Sequence, residues 1–565
     1  MVSSASLTDG ILFSVFCGLS LHPLFQKLEK THLQPLKRLA LITPILPSYF
    51  LLPHFERWSW FWALFVGYTT CYASLLISIV LYRLSFFHPL ARHPGPLLAK
   101  CTKFWGVYQA STGKLHVKYL ELHRRYGPVV RTGPNELSIC DVAAVQPVLG
   151  SDGLGKGNLW DGRRMPRSDI IAHIGIRDTT EHMKRRKPWN KAFSTSRIKA
   201  YEPIMRARLH QLLESLDDET DKKRSVDLAK WLSFFAYDFM GDMAFGAGFE
   251  LMRNGDAQGL WKIMEDGLVL FAITQHLPWF FDLLFSIPGM GSTLGSASLK
   301  LQDFVFRTAT DRQKRGSALM GKDISTYLLD EDSANPKPPD FEIYANEAIL
   351  AVVAGSDTTA TTLSCAVHHL VRDKSIFFRL RDEIDAVFPI KDGKTPYDTM
   401  AELPNMPFLN AVINEALRLY PAVPTGLQRS PERGTGGKAV ASVFIPEDTP
   451  VNIPAYVVHR DPRYFSPNPE RFWPDRWIVD SKDVETNRDA FIPFSVGPMS
   501  CVGKSLAQLE LRCVIATLVQ RFDMEFDTTN GWHEDEWEEK LEDHFVFKKG
   551  VLPILLRRRE GFDRV

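Results

Sequence analysis

The chain has 565 residues, is 45% hydrophobic and 24% charged, and carries a formal net charge of +1 at neutral pH. That length holds one large domain plus an appendage, and near-neutrality argues against a nucleic-acid partner. Seven cysteines without paired spacing and no Asn-x-Ser/Thr acceptor argue against a disulfide-rich secreted protein, and the sequence has no zinc pattern, phosphate-binding glycine loop or internal repeat.

The first 85 residues differ in kind from the rest. Trp58 to Tyr82 is uncharged and long enough to cross a bilayer, with aromatic residues crowded at its start. Ile11 to Phe25 and Leu39 to Leu52 are shorter than the ~20 residues a span needs, and Pro44 and Pro47 break the second. Lys27, Lys30, Lys37 and Arg38 lie between these two stretches, Arg57 alone precedes the third, and Arg83, Arg92 and Lys100 follow it. Three spans with a lumenal N-terminus satisfy the positive-inside rule; a single anchor preceded by two interfacial segments is the alternative, and both leave the remainder in the cytosol. No lysine or arginine precedes Ile11, which disfavours a cleaved signal peptide. The expected division is a membrane anchor region over 1–85, a proline-rich hinge over 86–100 that cannot continue a helix, and one large domain over 101–565.

Within that domain Tyr126 to Cys140 predicts two short strands around a Gly-Pro turn. Lys184-Arg-Arg-Lys187 with Lys191 is either a docking patch or a solvated helix face. The aromatic cluster from His276 to Phe285 is too short to span and suits either a membrane interface or a core. A loose stretch near Ser333 to Pro339 leads into a helix predicted from Tyr344 to Leu370, interrupted by Ala354-Gly-Ser-Asp-Thr-Thr359. Glycine in mid-helix costs roughly 1 kcal/mol relative to alanine, so Gly355 marks either a local opening of the helix or a Ser/Thr-rich kink. Phe408 to Tyr420 predicts another helix, with Glu415 and Arg418 at i,i+3 on one face, a spacing common on solvated helices.

Near the C-terminus, Phe494-Ser-Val-Gly497-Pro-Met-Ser-Cys501-Val-Gly503 sets a lone cysteine in a glycine-flanked turn ahead of a helix through Leu506, Leu509 and Leu511. A buried structural thiol is one reading. The other is a metal-bound thiolate. Backbone N–H groups of Val502 and Gly503 at the helix start would favour its charge, Gly497 and Gly503 would allow close approach of a flat macrocycle, and Phe494 would shield it as an apolar wall.

This segment is similar to the cysteine loop of the cytochrome P450 superfamily, F-x-x-G-x-R-x-C-x-G, and the chain resembles membrane-anchored fungal members. The resemblance extends from about residue 89 through three further motifs in the expected order. It implies a mainly α fold with small β-sheets, the family's triangular prism, and Cys501 as axial ligand of haem b (iron protoporphyrin IX). A thiolate there pushes electron density onto the iron and favours O–O cleavage. Met499 departs from the pattern, standing where the family carries a basic propionate partner. Ala354 to Thr359 resembles the oxygen-activating motif, which makes Asp357 an acid linked to solvent and Thr358 the hydroxyl that passes protons on, with Ala351 and Ala354 leaving room beside the iron. Glu415, Arg418 and Arg476, the last in Pro474-Asp-Arg-Trp477, resemble a buried ion network, with Arg471 of Pro469-Glu-Arg-Phe472 a decoy. His182 and Arg186 fall on the family's Trp-x-x-x-Arg pattern, His182 in place of tryptophan, and with Arg429 they are implied partners of the propionates. Val423, Pro424 and Thr425 resemble the strand lining the opposite pocket wall.

The function implied is a haem-thiolate monooxygenase that inserts one atom of O2 into a lipophilic small molecule. Its electrons would come from NADPH by way of NADPH-cytochrome P450 reductase docking near the basic run, with cytochrome b5 as a second candidate donor. The expected location is the endoplasmic reticulum membrane with the catalytic domain in the cytosol, and the expected role is secondary metabolism or xenobiotic oxidation. A haem-thiolate isomerase or dehydratase needing no reductase is the alternative enzyme, disfavoured by Asp357 and Thr358. A non-catalytic haem sensor or sterol-binding membrane protein is the third class.

Overall fold

A computed structural model describes residues 6–28, 41–55, 59–163, 170–222, 224–257, 259–285, 296–316 and 322–564, with backbone alone at 25–28, 282–285 and 296–298. The N-terminal region holds three helices, α1 (Leu7–Leu28), α2 (Ile45–Leu51) and α3 (Ser59–Leu84). Helix α1 is longer than the apolar run Ile11 to Phe25 suggests. The Asp9 carboxylate accepts from Ser6 N at 2.8 Å and starts the helix early, and Pro23 is accommodated inside it. At 22 and 26 residues, α1 and α3 are both long and apolar enough to cross a membrane, whereas the proline-broken α2 has only 7 residues. Lys30, Lys37, Arg38, Leu39, Arg57 and Trp58 lie outside the described residues.

Small residues bring these helices close, as expected where packing rather than water exclusion drives association. A Cβ on Gly18 would overlap Cys71 O, and one on Gly67 would overlap Ser48 Oγ. Ser74 Oγ donates to Val15 O at 3.4 Å, His22 Nδ1 lies 2.7 Å from Ser78 Oγ, and the His22 ring packs edge-on against Tyr82. Rising numbers in α1 therefore meet rising numbers in α3, so the two helices run parallel. Residues 41–51 pack against both: Leu41 O accepts from Tyr68 Oη, while Phe50 packs on Phe13 and Leu51 on Gly10.

The large domain is mostly helical with small sheets, as predicted. The helices that frame its centre are α4 (Thr179–Ala192), α5 (Leu228–Phe245), α6 (Leu260–Thr274), α7 (Phe341–Arg372), α8 (Pro407–Leu419) and α9 (Lys504–Arg521). Helix α7 also has the length and hydropathy of a span, but most of it is buried inside the domain, against α5 and α9 among others. It is helical without interruption, so the local opening expected at Gly355 is not there. A Cβ on Gly355 would lie 2.7 Å from Met240 Sδ, and the glycine instead lets α5 approach α7.

The domain also holds a five-stranded sheet. Its strands are β1 (Val129–Gly133), β2 (Glu136–Ile139), β3 (Gly155–Lys156), β4 (Arg429–Ser430) and β5 (Val451–Asn452), in the order β1-β2-β5-β4-β3. β1 and β2 form the expected hairpin. In β3 and β4, Lys156 pairs directly with Arg429. The anchor joins the domain at this sheet: Arg131, buried in β1, donates to Arg83 O at 3.0 Å, and Arg83 donates to Cys101 O at 2.7 Å. A separate hairpin, Glu542–His544 with Val546–Lys548, carries Phe545 at its tip with φ +77°.

Candidate functional site

Cys501 sits in a loop closed by two backbone bonds, from its own N–H to Phe494 O at 2.9 Å and from Ser500 N–H to Gly497 O at 3.0 Å. Gly497 has φ +75°, and a Cβ there would overlap Leu149 O; glycine is needed on both counts. Gly503 has ordinary backbone angles, and a Cβ on it would make only van der Waals contact, 3.9 Å from Cys501 Sγ. The close approach expected of Gly503 thus meets no protein obstacle. Burial raises the Cys501 thiol pKa, and the N–H groups of Gly503 and Lys504 with the charges of Arg186 and Lys504 oppose it. The donors are thus one residue further along than the expected Val502 and Gly503, where the first turn of α9 opens. Cys501 is enclosed by protein mass yet keeps exposed surface. Both hold because it faces an internal cleft rather than the outside.

Cations converge beside this loop. His182 and Arg186, one turn apart in α4, are buried, so His182 is not the surface histidine its helix-start position allowed. Arg186 Nη2 donates to Ser500 O at 2.6 Å. Lys156, buried across the ladder from Arg429, donates to Ile174 O at 2.6 Å and lies 3.3 Å from His182 Nδ1. Burial, then Arg429 and Arg186, push Lys156 down to about 7. Among the described buried polar atoms without a hydrogen-bond partner are Nη1 of Arg429, a donor, and Nε2 of His182, the acceptor nitrogen of a ring whose Nδ1 donates to His173 O at 2.9 Å. The nearby carboxylate of Glu347 is already used, accepting from His173 N, His173 Nδ1, Trp189 Nε1 and Arg185. Neutral Met499 lines a cavity of about 360 Å³ with Arg429, Ser151 and Lys438. An unmatched buried cation is costly, and the orphaned Arg429 donor together with Arg186, beside a cleft-facing thiol, fits a flat group bearing carboxylates. The residues present therefore fit a haem, with Lys156 an additional basic group beside Arg429.

On α7, Ala354 and Thr358 keep exposed surface one turn apart, while Ala351 is packed in the core. Thr358 Oγ1 donates to Ala354 O at 2.7 Å, which leaves its lone pairs as acceptors. Asp357 points elsewhere. It is buried and accepts a 2.8 Å hydrogen bond from Tyr237 Oη on α5, so the expected direct link to solvent is replaced by a contact with a second buried side chain. Burial raises the Asp357 carboxyl pKa against the opposing effects of Lys549 and Tyr237.

Glu415 is fully enclosed. Arg418 donates to both its oxygens at 2.8 Å, Arg476 Nε to Oε1 at 3.0 Å, Trp473 N to Oε1 at 2.8 Å and Trp477 Nε1 to Oε2 at 3.0 Å. Burial works against its charge, but the Arg418 hydrogen bonds and the charges of Arg418 and Arg476 win and hold the carboxyl below its usual range. Arg471 is exposed, and only its carbonyl takes part, accepting from Arg418.

The basic run does not form one outward patch. Helical periodicity turns Arg186 inward and Arg185 toward Glu347, while Lys184 pairs with Glu181 and Lys191 with Asp332 at 3.5 Å. Thr425 is buried and donates to Asp543 at 2.6 Å, and of its neighbours Val423 keeps exposed surface. In the cluster after His276, Phe280 packs on Phe104; side chains 282–285 lie outside the described residues. Sequence reasoning missed Lys156, Glu347 and Tyr237. The one signal was a lysine set between glycines in Gly153-Leu-Gly-Lys156-Gly157.

Residues 94–548 match the family model described as Cytochrome P450. Among curated relatives, the chain is 34% identical to Cytochrome P450 monooxygenase FCK2 of Fusarium pseudograminearum, over 86% of this chain and 85% of that protein. It is 32% identical to Tryprostatin B 6-hydroxylase of Aspergillus fumigatus, over 87% and 84%, and 34% identical to Cytochrome P450 67 of Uromyces fabae, over 80% and 83%. A match over most of the chain, together with a cysteine loop and cation cluster that suit a thiolate-bound haem, leads to one conclusion: this chain belongs to the cytochrome P450 family and is an oxidoreductase of its monooxygenase class.

Proposed function

We propose that the chain is a membrane-anchored haem-thiolate monooxygenase of fungal secondary metabolism that inserts one atom of O2 into a lipophilic small molecule, with electrons from NADPH-cytochrome P450 reductase. The observation that carries this reading is the cleft-facing Cys501 thiol beside the buried Arg186 and the orphaned donor of Arg429. When bound, the haem supplies the oxidising chemistry, with the thiolate favouring O–O cleavage. Cys501 ligates it, Gly503 and Lys504 N–H groups hold the sulfur's charge, and His182, Arg186, Arg429 and Lys156 hold its carboxylates. Phe494 and Gly497 shape the loop beneath it. Thr358 Oγ1 receives and passes a proton at the cleft, and Asp357, its carboxyl pKa raised by burial and its position fixed by Tyr237, is the neighbouring acid. In microsomes with the reductase, NADPH and O2 consumption is expected to rise with a lipophilic substrate and to yield a product one oxygen heavier. Substrate-independent rates across a broad panel in haem-loaded protein would refute the reading.

The expected location is the endoplasmic reticulum, with the domain in the cytosol. The parallel run of α1 and α3 supports an odd number of crossings, because two parallel spans need the chain between them to return through the bilayer. That is compatible with the three-span arrangement with a lumenal N-terminus, in which α2, at 7 residues, would supply only part of the return. The exposed Phe86, Phe87, Leu97, Leu98 and Phe104 continue an apolar surface from the end of α3 toward Phe280 and suit contact with lipid. An Asn-x-Thr acceptor placed before Ser6 is expected to be glycosylated in microsomes; an unmodified acceptor open to cytosolic protease would exclude this topology.

A further inference from the structure

Arg163 follows the helical turn Asn158–Gly162 and, like Cys501, is enclosed by protein while keeping exposed surface. Its guanidinium is fixed from three sides. Cζ lies 3.4 Å from the centroid of the Phe545 ring and 5.1 Å from that of Trp160, and Nε and Nη2 both donate to Gln275 Oε1, at 2.9 and 2.8 Å. Gly162 permits this approach, since a Cβ there would lie 2.6 Å from Gln275 Cα. A guanidinium has five N–H donors, so both on Nη1 and one on Nη2 remain without an acceptor among the described residues.

Among the described residues no carboxylate answers this cation. Asp543, beside Phe545 in sequence, is engaged by Thr425 Oγ1 at 2.6 Å and Phe545 N at 3.1 Å, and Asp161 pairs with Arg177 at 2.8 Å. His276, the residue after Gln275, is held neutral, its pKa lowered to about 3 by burial and the nearby charges of Lys103 and Arg163. The location is a junction of the segment before α4, the C-terminal end of α6 and the tip of the 542–548 hairpin, with Trp160 and Phe545 as apolar walls. A buried charge without a partner is unfavourable, and the planar fork of arginine matches a carboxylate with two parallel hydrogen bonds. An apolar junction with one immobilised, uncompensated guanidinium suits an amphiphilic acid.

We propose that Arg163 is a specificity determinant that binds the carboxylate of a lipophilic substrate acid; this rests on the monooxygenase reading given above. The test titrates the haem-loaded full chain with dodecanoic acid and 4-phenylbutanoic acid, each against its methyl ester, following both the Soret shift and the shift in melting temperature. The acids are expected to bind at least about 10-fold more tightly than their esters, a single charge-assisted hydrogen-bond pair being worth at least that factor. Arg163→Gln is expected to bring the ratio near one with ester binding unchanged. Arg163→Lys should keep only part of the preference, since an ammonium cannot make the bidentate pair. Equal binding of acid and ester by the wild type, or a preference that survives in Arg163→Gln, overturns the proposal. A CO-difference spectrum on the same samples separates the two readings: a thiolate band without acid preference defeats this inference alone, and a missing band defeats the monooxygenase reading, while the melting shifts still decide the acid preference.

Discussion

Replacing Glu415 with alanine is expected to leave little folded, haem-loaded protein. Among the described residues its carboxylate is the only acid paired with Arg418 and Arg476, and all three side chains are fully enclosed. Removing one member of such a cluster strands the others as buried charges, at a cost of about 3–5 kcal/mol. Total domain stabilities run only about 5–15 kcal/mol, so the loss is a large share of what holds the fold. It also falls in a critical place, because Arg418 binds His459 O at 2.7 Å and His459 Nε2 accepts from Ile492 N at 2.9 Å, two residues before Phe494. The chain leading to the cysteine loop hangs on this network. Expression yield, Soret absorbance per protein and urea unfolding would measure the effect; a variant within about 1 kcal/mol of wild type would mean that the network contributes no more than an exposed salt bridge. The lowered pKa of Glu415 adds a sign. Its stabilising contribution is complete above the unfolded carboxyl's pKa of about 4.3 and is lost as pH falls through the lower folded value. The network should therefore survive mild acid and fail only in stronger acid.

Cys501→Ala is expected to abolish the red-shifted Soret band of dithionite-reduced, CO-bound, thiolate-ligated haem, whereas Cys513→Ala should keep it. Both thiols lie near α9, but Cys513 is buried within the helix and Cys501 alone faces the cleft beside His182, Arg186 and Arg429. Alanine removes the sulfur without disturbing the two backbone bonds that close the loop, so the fold and part of the haem should remain while the thiolate signature goes. The expected effect is complete loss of the band and of reductase-supported turnover, because Cys501 is the one cysteine of the Phe494–Gly503 loop. A band that persisted in Cys501→Ala and vanished in Cys513→Ala would move the ligand to α9 and undo the site as described.

By itself the sequence determined what repeats or spaces locally. The Phe494–Gly503 loop, the i,i+3 pair Glu415–Arg418, the Pro474–Trp477 turn with Arg476, the strands at 129–139 and the long helix carrying Asp357 and Thr358 are all set by backbone sterics, helical period and turn chemistry acting over a few residues. The same short range explains the misjudgements. Gly355 announces an irregularity in α7, but only packing against Met240 of α5 says that the glycine makes room for a neighbour. Asp357 is legible as an acid beside a hydroxyl, yet its partner Tyr237 stands 120 positions away. Lys184 to Lys187 reads as one basic patch until the helical turn sends Arg185 and Arg186 inward to different partners. The tertiary structure alone decided that Lys156 faces Arg429 across a strand pair, that Glu347 collects His173, Arg185 and Trp189, and that α1 and α3 run parallel. Each of these joins residues far apart in the chain, and such a pairing is chosen by the burial and charge balance of the whole fold, which no local pattern encodes.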